Sequence, residues 1–194
     1  NRWGLIIWMS HPCWPSMVWQ TYDYFFEPTA AYFGAKKACE PLHIQWNEAT
    51  DSIEVVDLYA GDRKGLKAEL TVRNMRGEAL KTTTISPLDI RNDTTTPITK
   101  VGKYEDLAEN YTEQTDVLYI DLKLYDEHGE ILSENFYLKG KEYGNYQALN
   151  QLPKMTPTVD FEYSKTGNTW NGKVHIGNQT KIPSLLIRLN VLGE

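Results

Sequence analysis

The sequence predicts a mainly β chain, and three observations predict it. From Leu42 onward apolar and polar residues alternate with period two, as Leu66, Ala68, Leu70 and Val72 do against Lys67, Glu69, Thr71 and Arg73. Turn signals punctuate these runs, among them Arg76-Gly77-Glu78 and Asp126-Glu127-His128-Gly129. The first forty residues read differently. Trp3, Trp8, Trp14 and Trp19 crowd into the first twenty positions, while only Trp46 and Trp170 follow, and an alanine-rich stretch takes the place of alternation. A helix-bearing N-terminal piece is therefore expected ahead of the β remainder.

The elements follow in order. Residues 3–8 (WGLIIW) form a short continuous apolar run, the pattern of a strand buried on both faces in a parallel sheet. Pro12 and Pro15 then forbid regular structure. Pro28 opens a helix over residues 30–39, where Ala31, Gly34, Ala35 and Ala38 give a small-residue face, Lys36 and Lys37 suit the C-terminal dipole, and Pro41 stops it. Strand, long loop and helix make one β/α unit, which cannot bury itself alone. Strands are then expected at residues 43–46, 52–59, 66–73 and 80–86, with loops over 89–110 and one weak element near 104–108. The clearest hairpin pairs residues 118–125 with 131–138. Leu118, Ile120, Leu122 and Leu124 face one way; Tyr119, Asp121, Lys123 and Tyr125 face the other.

About seven short strands over residues 42–140 read as an immunoglobulin-like β-sandwich. Residues 141–157 are a Gly-, Asn- and Gln-rich linker. Residues 158–194 begin a further β-sandwich, with strands expected at 158–163, 170–176 and 185–192, too few to close. An apolar strand this near the end of the chain reads as a cut in a longer protein, and its open edges invite self-association.

Composition excludes some partners. The formal net charge of −6 argues against nucleic acid, which needs a basic surface. No apolar run reaches the roughly eighteen residues that a membrane span requires. Cys13 and Cys39 read as two buried free thiols, with one disulfide as the alternative. With His11 and His43 they lack the close ligand pairs of a metal centre, so neither metal nor cofactor is expected.

Three motifs carry a resemblance. Residues 8–16 (WMSHPCWPS), 19–24 (WQTYDY) and 32–45 (YFGAKKACEPLHIQ) resemble the end of the catalytic barrel in glycoside hydrolase family 2, in its exo-β-glucosaminidase and β-mannosidase branch. The match covers about 45 residues; beyond them only the order of sandwich domains agrees. The resemblance implies that residues 1–41 are the last strand, loop and helix of a (β/α)8 barrel, whose active site lies at the C-terminal ends of the strands. It implies that Trp8 stacks under a sugar, that Trp14 walls the same pocket and that His11 lies beside them. The family's Asn is replaced by His11 here, which removes an amide that could bind the sugar. The family is retaining and uses two Glu on earlier barrel strands, so no catalytic residue is expected in this chain, which alone should be inactive. The implied partner is a β-linked oligosaccharide or glycoside, and the implied setting is periplasmic or extracellular.

Plainer readings stand beside these. Asn47-Glu48 mimics the family's acid/base pair but falls in a turn-like stretch between strands. Asp23 reads as a structural hydrogen-bond acceptor, His11 as a loop hydrogen-bonding residue, and Glu40 as a local cap or pair. A carbohydrate-binding sandwich would need a row of exposed aromatics; Tyr119, Tyr125 and Tyr137 are the candidates, and a structural spacer is the preferred role for residues 42–140.

Overall fold

The computed structural model describes residues 6–15, 20–108, 116–185, 187 and 189. One helix, α1 (Ala30–Ala38), precedes seven strands: β1 (Leu42–Asn47), β2 (Ser52–Asp57), β3 (Arg63–Arg73), β4 (Ala79–Ile90), β5 (Thr94–Lys100), β6 (Val117–Tyr125) and β7 (Ile131–Gly140). A short helix, α2 (Tyr104–Ala108), lies between β5 and β6. A 3₁₀ turn (Gln147–Gln151) and a final hairpin, β8 (Thr158–Thr166) and β9 (Thr169–Gly177), follow.

The seven strands divide into a three-stranded sheet, ordered β1-β2-β5, and a four-stranded sheet, ordered β4-β3-β6-β7. This three-plus-four division is that of an immunoglobulin-like fold. The chain groups into two compact units. One holds Asn1–Lys67, Ser86–Thr99 and Leu124–Glu134; the other holds Ala68–Ile85, Lys100–Lys123 and Asn135–Glu194.

In the first unit β1 and β2 pair antiparallel, with Ile44 opposite Val55 and Trp46 opposite Ile53. All four are buried, with Leu42, Leu66, Leu88, Ile90 and Leu124. The β1–β2 turn is set by Asp51, at φ 54°, whose carboxylate accepts the Trp46 indole N–H at 3.3 Å. In the second unit the alternation of β3 places Ala68, Leu70 and Val72 in the interior, and β6 adds Leu118, Ile120 and Leu122.

Three expectations need correction. β4 runs on to Ile90, and β5 occupies part of the stretch read as loops. Pro87 and Pro97 hid both, since proline argues against a central strand; β4 and β5 are each the last strand of their sheet, where a missing N–H is tolerated. No strand forms over Ile6, Ile7 and Trp8, which are exposed; residues 3–5 lie outside the described residues. A strand buried on both faces exists only with neighbours to pair. Cys13 and Cys39 are free as expected but exposed rather than buried, because one lies in a surface loop and the other ends a helix with no buried residue.

Tyr119 also departs from the polar face assigned to it. It is 2% exposed and packs with Met75 and Val117 beneath Leu138, Ala148, Leu149, Leu152 and Leu185. Its hydroxyl donates to the Met75 carbonyl at 3.3 Å, and burial pushes its pKa up. Residues 147–152 thus cover one end of β6.

The β8–β9 hairpin pairs from Thr158 with Gly177 to Thr166 with Thr169. One face carries Val159, Phe161, Tyr163, Trp170, Val174 and Ile176, all exposed; the other carries Asp160, Glu162, Asn171, Lys173 and His175. Of the strand expected at 185–192, residues 186, 188 and 190–192 lie outside the described residues, and Leu185, Ile187 and Leu189 carry no strand.

Candidate functional site

The candidate site is the loop of residues 8–14 with the turn that supports it. Trp8 is 83% exposed and Trp14 67% exposed. His11 lies between, half-buried, its Nε2–H donating to the Tyr24 carbonyl at 3.2 Å. A carbonyl oxygen only accepts, so Nε2 carries the proton. The His11 ring stacks on Phe26, centroids 4.2 Å apart and planes 17° from parallel.

Asp23 builds the turn that holds Tyr24, Phe25 and Phe26. Its Oδ1 accepts the backbone N–H of Phe25 at 2.8 Å and of Glu27 at 2.9 Å, while its own N–H donates to the Glu27 carbonyl at 2.9 Å. This is the acceptor role read from the sequence. Phe26 is held at φ 63°, a left-handed conformation that side chains disfavour. The Asp23 hydrogen bonds to the flanking Phe25 and Glu27 amides hold the chain in this turn. The arrangement is an aromatic surface with one imidazole, and among the described residues no serine or cysteine is hydrogen-bonded to that imidazole. Such a surface can stack on the apolar face of a sugar ring and donate or accept a few hydrogen bonds.

Two further hydrogen-bonded layers support the loop. The Ser10 carbonyl accepts Tyr22 N–H at 2.9 Å and the Thr21 hydroxyl at 3.2 Å. The Thr29 hydroxyl donates to the Gln20 carbonyl at 2.6 Å, and Thr29 N–H to the Thr21 carbonyl at 3.0 Å. At the other end of α1, the Glu40 carboxylate accepts Lys37 Nζ at 2.9 Å and the Ser133 hydroxyl at 3.1 Å, with His43 Nδ1 at 3.5 Å. Burial by itself raises the Glu40 carboxyl; the hydrogen bonds from Lys37, Ser133 and His43 outweigh it and hold the pKa below the usual value. Burial also keeps the His43 ring below its ordinary pKa, against the pull of Glu40.

The local pairing expected of Glu40 is present. Its reach to Ser133 on β7, 93 residues away, had no signal in the sequence. Glu48 is exposed in the β1–β2 turn, where its carbonyl accepts Asp51 N–H at 3.3 Å, and Asn47 donates to Glu54 rather than to a neighbouring acid/base residue. Among the described residues no three His, Cys, Asp or Glu side chains are placed to share a metal ion.

Residues 135–194 match the exo-β-D-glucosaminidase Ig-fold domain. Along 98% of its length the chain is 27% identical to 22% of an exo-β-D-glucosaminidase of Arthroderma benhamiae. The chain is a relative of a segment of these glycosidases. Over 92% of its length it is also 28% identical to 18% of a mannosylglycoprotein endo-β-mannosidase of Lilium longiflorum. The fold agrees with the crystal structure of an Amycolatopsis orientalis exo-chitosanase at TM-score 0.72 and 20% identity, over 90% of this chain and 22% of the other. The resemblance to the exo-β-glucosaminidase and β-mannosidase branch of glycoside hydrolase family 2 is thereby borne out, as is the mainly β, immunoglobulin-like fold. This glucosaminidase-related chain spans about a fifth of the length of the relatives it matches.

Proposed function

We propose that this chain is part of a longer retaining exo-β-glycosidase acting on β-linked glucosaminides or mannosides, and that residues 8–14 line its sugar site. The observation that carries the reading is the similarity along almost the whole chain to exo-β-D-glucosaminidases, combined with indole faces at Trp8 and Trp14 that are open to a ligand. Trp8 stacks on the terminal sugar, Trp14 walls the pocket, and His11, its Nε2–H committed to Tyr24, offers Nδ1 as an acceptor for a sugar hydroxyl. Residues 1–41 then complete a (β/α)8 barrel whose other strands carry the two catalytic Glu. The enzyme acts outside the cytoplasm, the setting its kind of substrate implies.

In this reading residues 42–140 are a structural spacer. A separate carbohydrate-binding role for them is disfavoured, because Tyr119 is buried and breaks the row of aromatics such a role needs. The apolar face of β8–β9 is an inner sandwich face, and in this chain alone it promotes self-association.

Hydrolysis of p-nitrophenyl β-glycosides (glucosaminide, mannoside, galactoside, glucoside) tests the assignment. The longer protein should cleave the glucosaminide or the mannoside, and this chain alone should cleave none. Turnover by this chain that survives repurification and is abolished by Glu48→Gln would contradict the proposal.

A further inference from the structure

Helix α1 buries no residue, so among the described residues little apolar packing fixes its position. Polar anchors at its two ends do. At the C-terminal end the Glu40 carboxylate is gripped by Lys37 of the helix, by Ser133 of β7 and by His43 of β1. The Ser133 hydroxyl in turn accepts the Ile44 N–H at 3.2 Å, so the same oxygen ties β1, β7 and the helix end together. The Pro41 carbonyl accepts Leu58 N–H at 2.7 Å and adds the chain just after β2. At the N-terminal end Thr29 bonds to Gln20 and Thr21, and Thr21 and Tyr22 both bond to the carbonyl of Ser10. The ring of Tyr22 lies against that of Tyr32 on the helix, centroids 5.4 Å apart. Ser10 is the residue before His11.

A contiguous path of hydrogen bonds and one rigid helix therefore runs from the sheet to the aromatic loop. We propose that Glu40 and Ser133 are positioning residues for the loop of residues 8–14, through which the immunoglobulin-like strands hold the sugar-stacking side chains in place. The cluster is then a support of the ligand site, and the spacer takes part in substrate affinity. The coupling itself is a property of this chain; its bearing on a sugar rests on the function proposed above.

Hydrogen exchange on the 194-residue chain reads the coupling. Glu40→Gln and Ser133→Ala should each speed exchange at the Tyr22 and Thr29 amides by about tenfold, the loss of one charge-assisted hydrogen bond, while the Val55 amide in β2 is unchanged. Equal exchange at Tyr22 and Thr29 in wild type and variants overturns the proposal. If a substitution unfolds the chain, Val55 exchanges as well, and Lys37→Met, which removes one partner of Glu40 at the surface, decides in the same way.

Kinetics of the longer protein then separate coupling from function. KM for p-nitrophenyl β-glucosaminide or β-mannoside should rise about threefold to tenfold in Glu40→Gln with kcat nearly constant, since ground-state and transition-state binding are lost alike. The Glu40→Gln, Ser133→Ala double variant should be no worse than the weaker single. An active wild type whose KM ignores both substitutions overturns the positioning role. A wild type that cleaves no β-glycoside overturns the glycosidase reading and leaves the exchange result to judge the coupling.

Discussion

Glu40 and His43 make the junction between α1 and β1 sensitive to acid. Both have pKa values below their ordinary 4.5 and 6.5, so at each site the unfolded chain binds a proton more readily than the folded one. Stability therefore rises with pH. The His43 contribution is complete above about 6.5 and fades below it; the Glu40 contribution is complete above about 4.5 and is lost as pH falls through its folded value. Urea midpoints measured from pH 8 to pH 4 should fall, and Glu40→Gln should flatten the acid end of that curve. A midpoint that climbs on acidification would contradict this. Ser133→Ala should cost about 1 to 3 kcal/mol at neutral pH, since it removes the hydrogen bond to Glu40 and takes the acceptor from the buried Ile44 N–H. At this scale sequence reasoning foresaw local partners only. Asp23 accepting from Phe25 and Glu27 follows from the habits of aspartate in turns. Glu40 meeting Ser133 depends on strand placement that no local pattern carries.

The elements that show one clean period were legible, and those that mix signals were not. Helix α1 fell where Pro28 and Pro41 bracket it, and the β6–β7 hairpin where β6 alternates from Leu118 to Tyr125 and the Asp126-Glu127-His128-Gly129 turn follows. That turn is held by the Asp126 carboxylate, which accepts N–H groups from His128 at 2.9 Å and Glu130 at 2.8 Å. β5 was missed because Thr-rich edge strands lack an apolar face and Pro97 mimics a loop. Residues 147–152 read as linker, yet Ala148, Leu149 and Leu152 pack on Met75 and Tyr119; three apolar side chains spaced among polar ones give no periodic signal. The β3–β4 turn offers a direct check on this unit. Gly77 adopts φ +80°, and a Cβ there would lie 3.0 Å from Pro183 Cγ. Gly77→Ala should destabilise by roughly 1 to 2 kcal/mol, from left-handed strain and a crowded neighbour, read as a lower melting temperature. Close by, Arg73 reaches Asp121 at 2.7 Å from one strand to the next and donates to the Gly77 carbonyl at 3.1 Å. Both side chains are more than 30% exposed, so a double-mutant cycle on the pair should give no more than about 1 kcal/mol.

For the whole molecule, the exposed apolar surface among the described residues is the feature to test. Phe161, Tyr163 and Trp170 lie along one face of β8–β9, with neighbouring centroids 5.8 Å apart, and Trp8 and Trp14 stand open at the other end of the sequence. Sedimentation should show concentration-dependent association of this chain, reduced when Phe161 and Trp170 are both changed to Thr; association unaffected by the pair would place the contact elsewhere. The fold class was legible here because alternation and turn spacing are properties of the whole stretch from residue 42 to 140. The sugar-lining role proposed for Trp8, His11 and Trp14 rests on a resemblance, since exposed aromatics in an irregular loop have no period to read. The most direct test of that role is the kinetics of Trp8→Ala in the longer protein on p-nitrophenyl β-glucosaminide and β-mannoside. Loss of one stacked aromatic face should lower kcat/KM about tenfold or more, with the melting temperature unchanged because the indole is exposed. A Trp8→Ala enzyme with wild-type kcat/KM on every glycoside that the wild type cleaves would contradict the account.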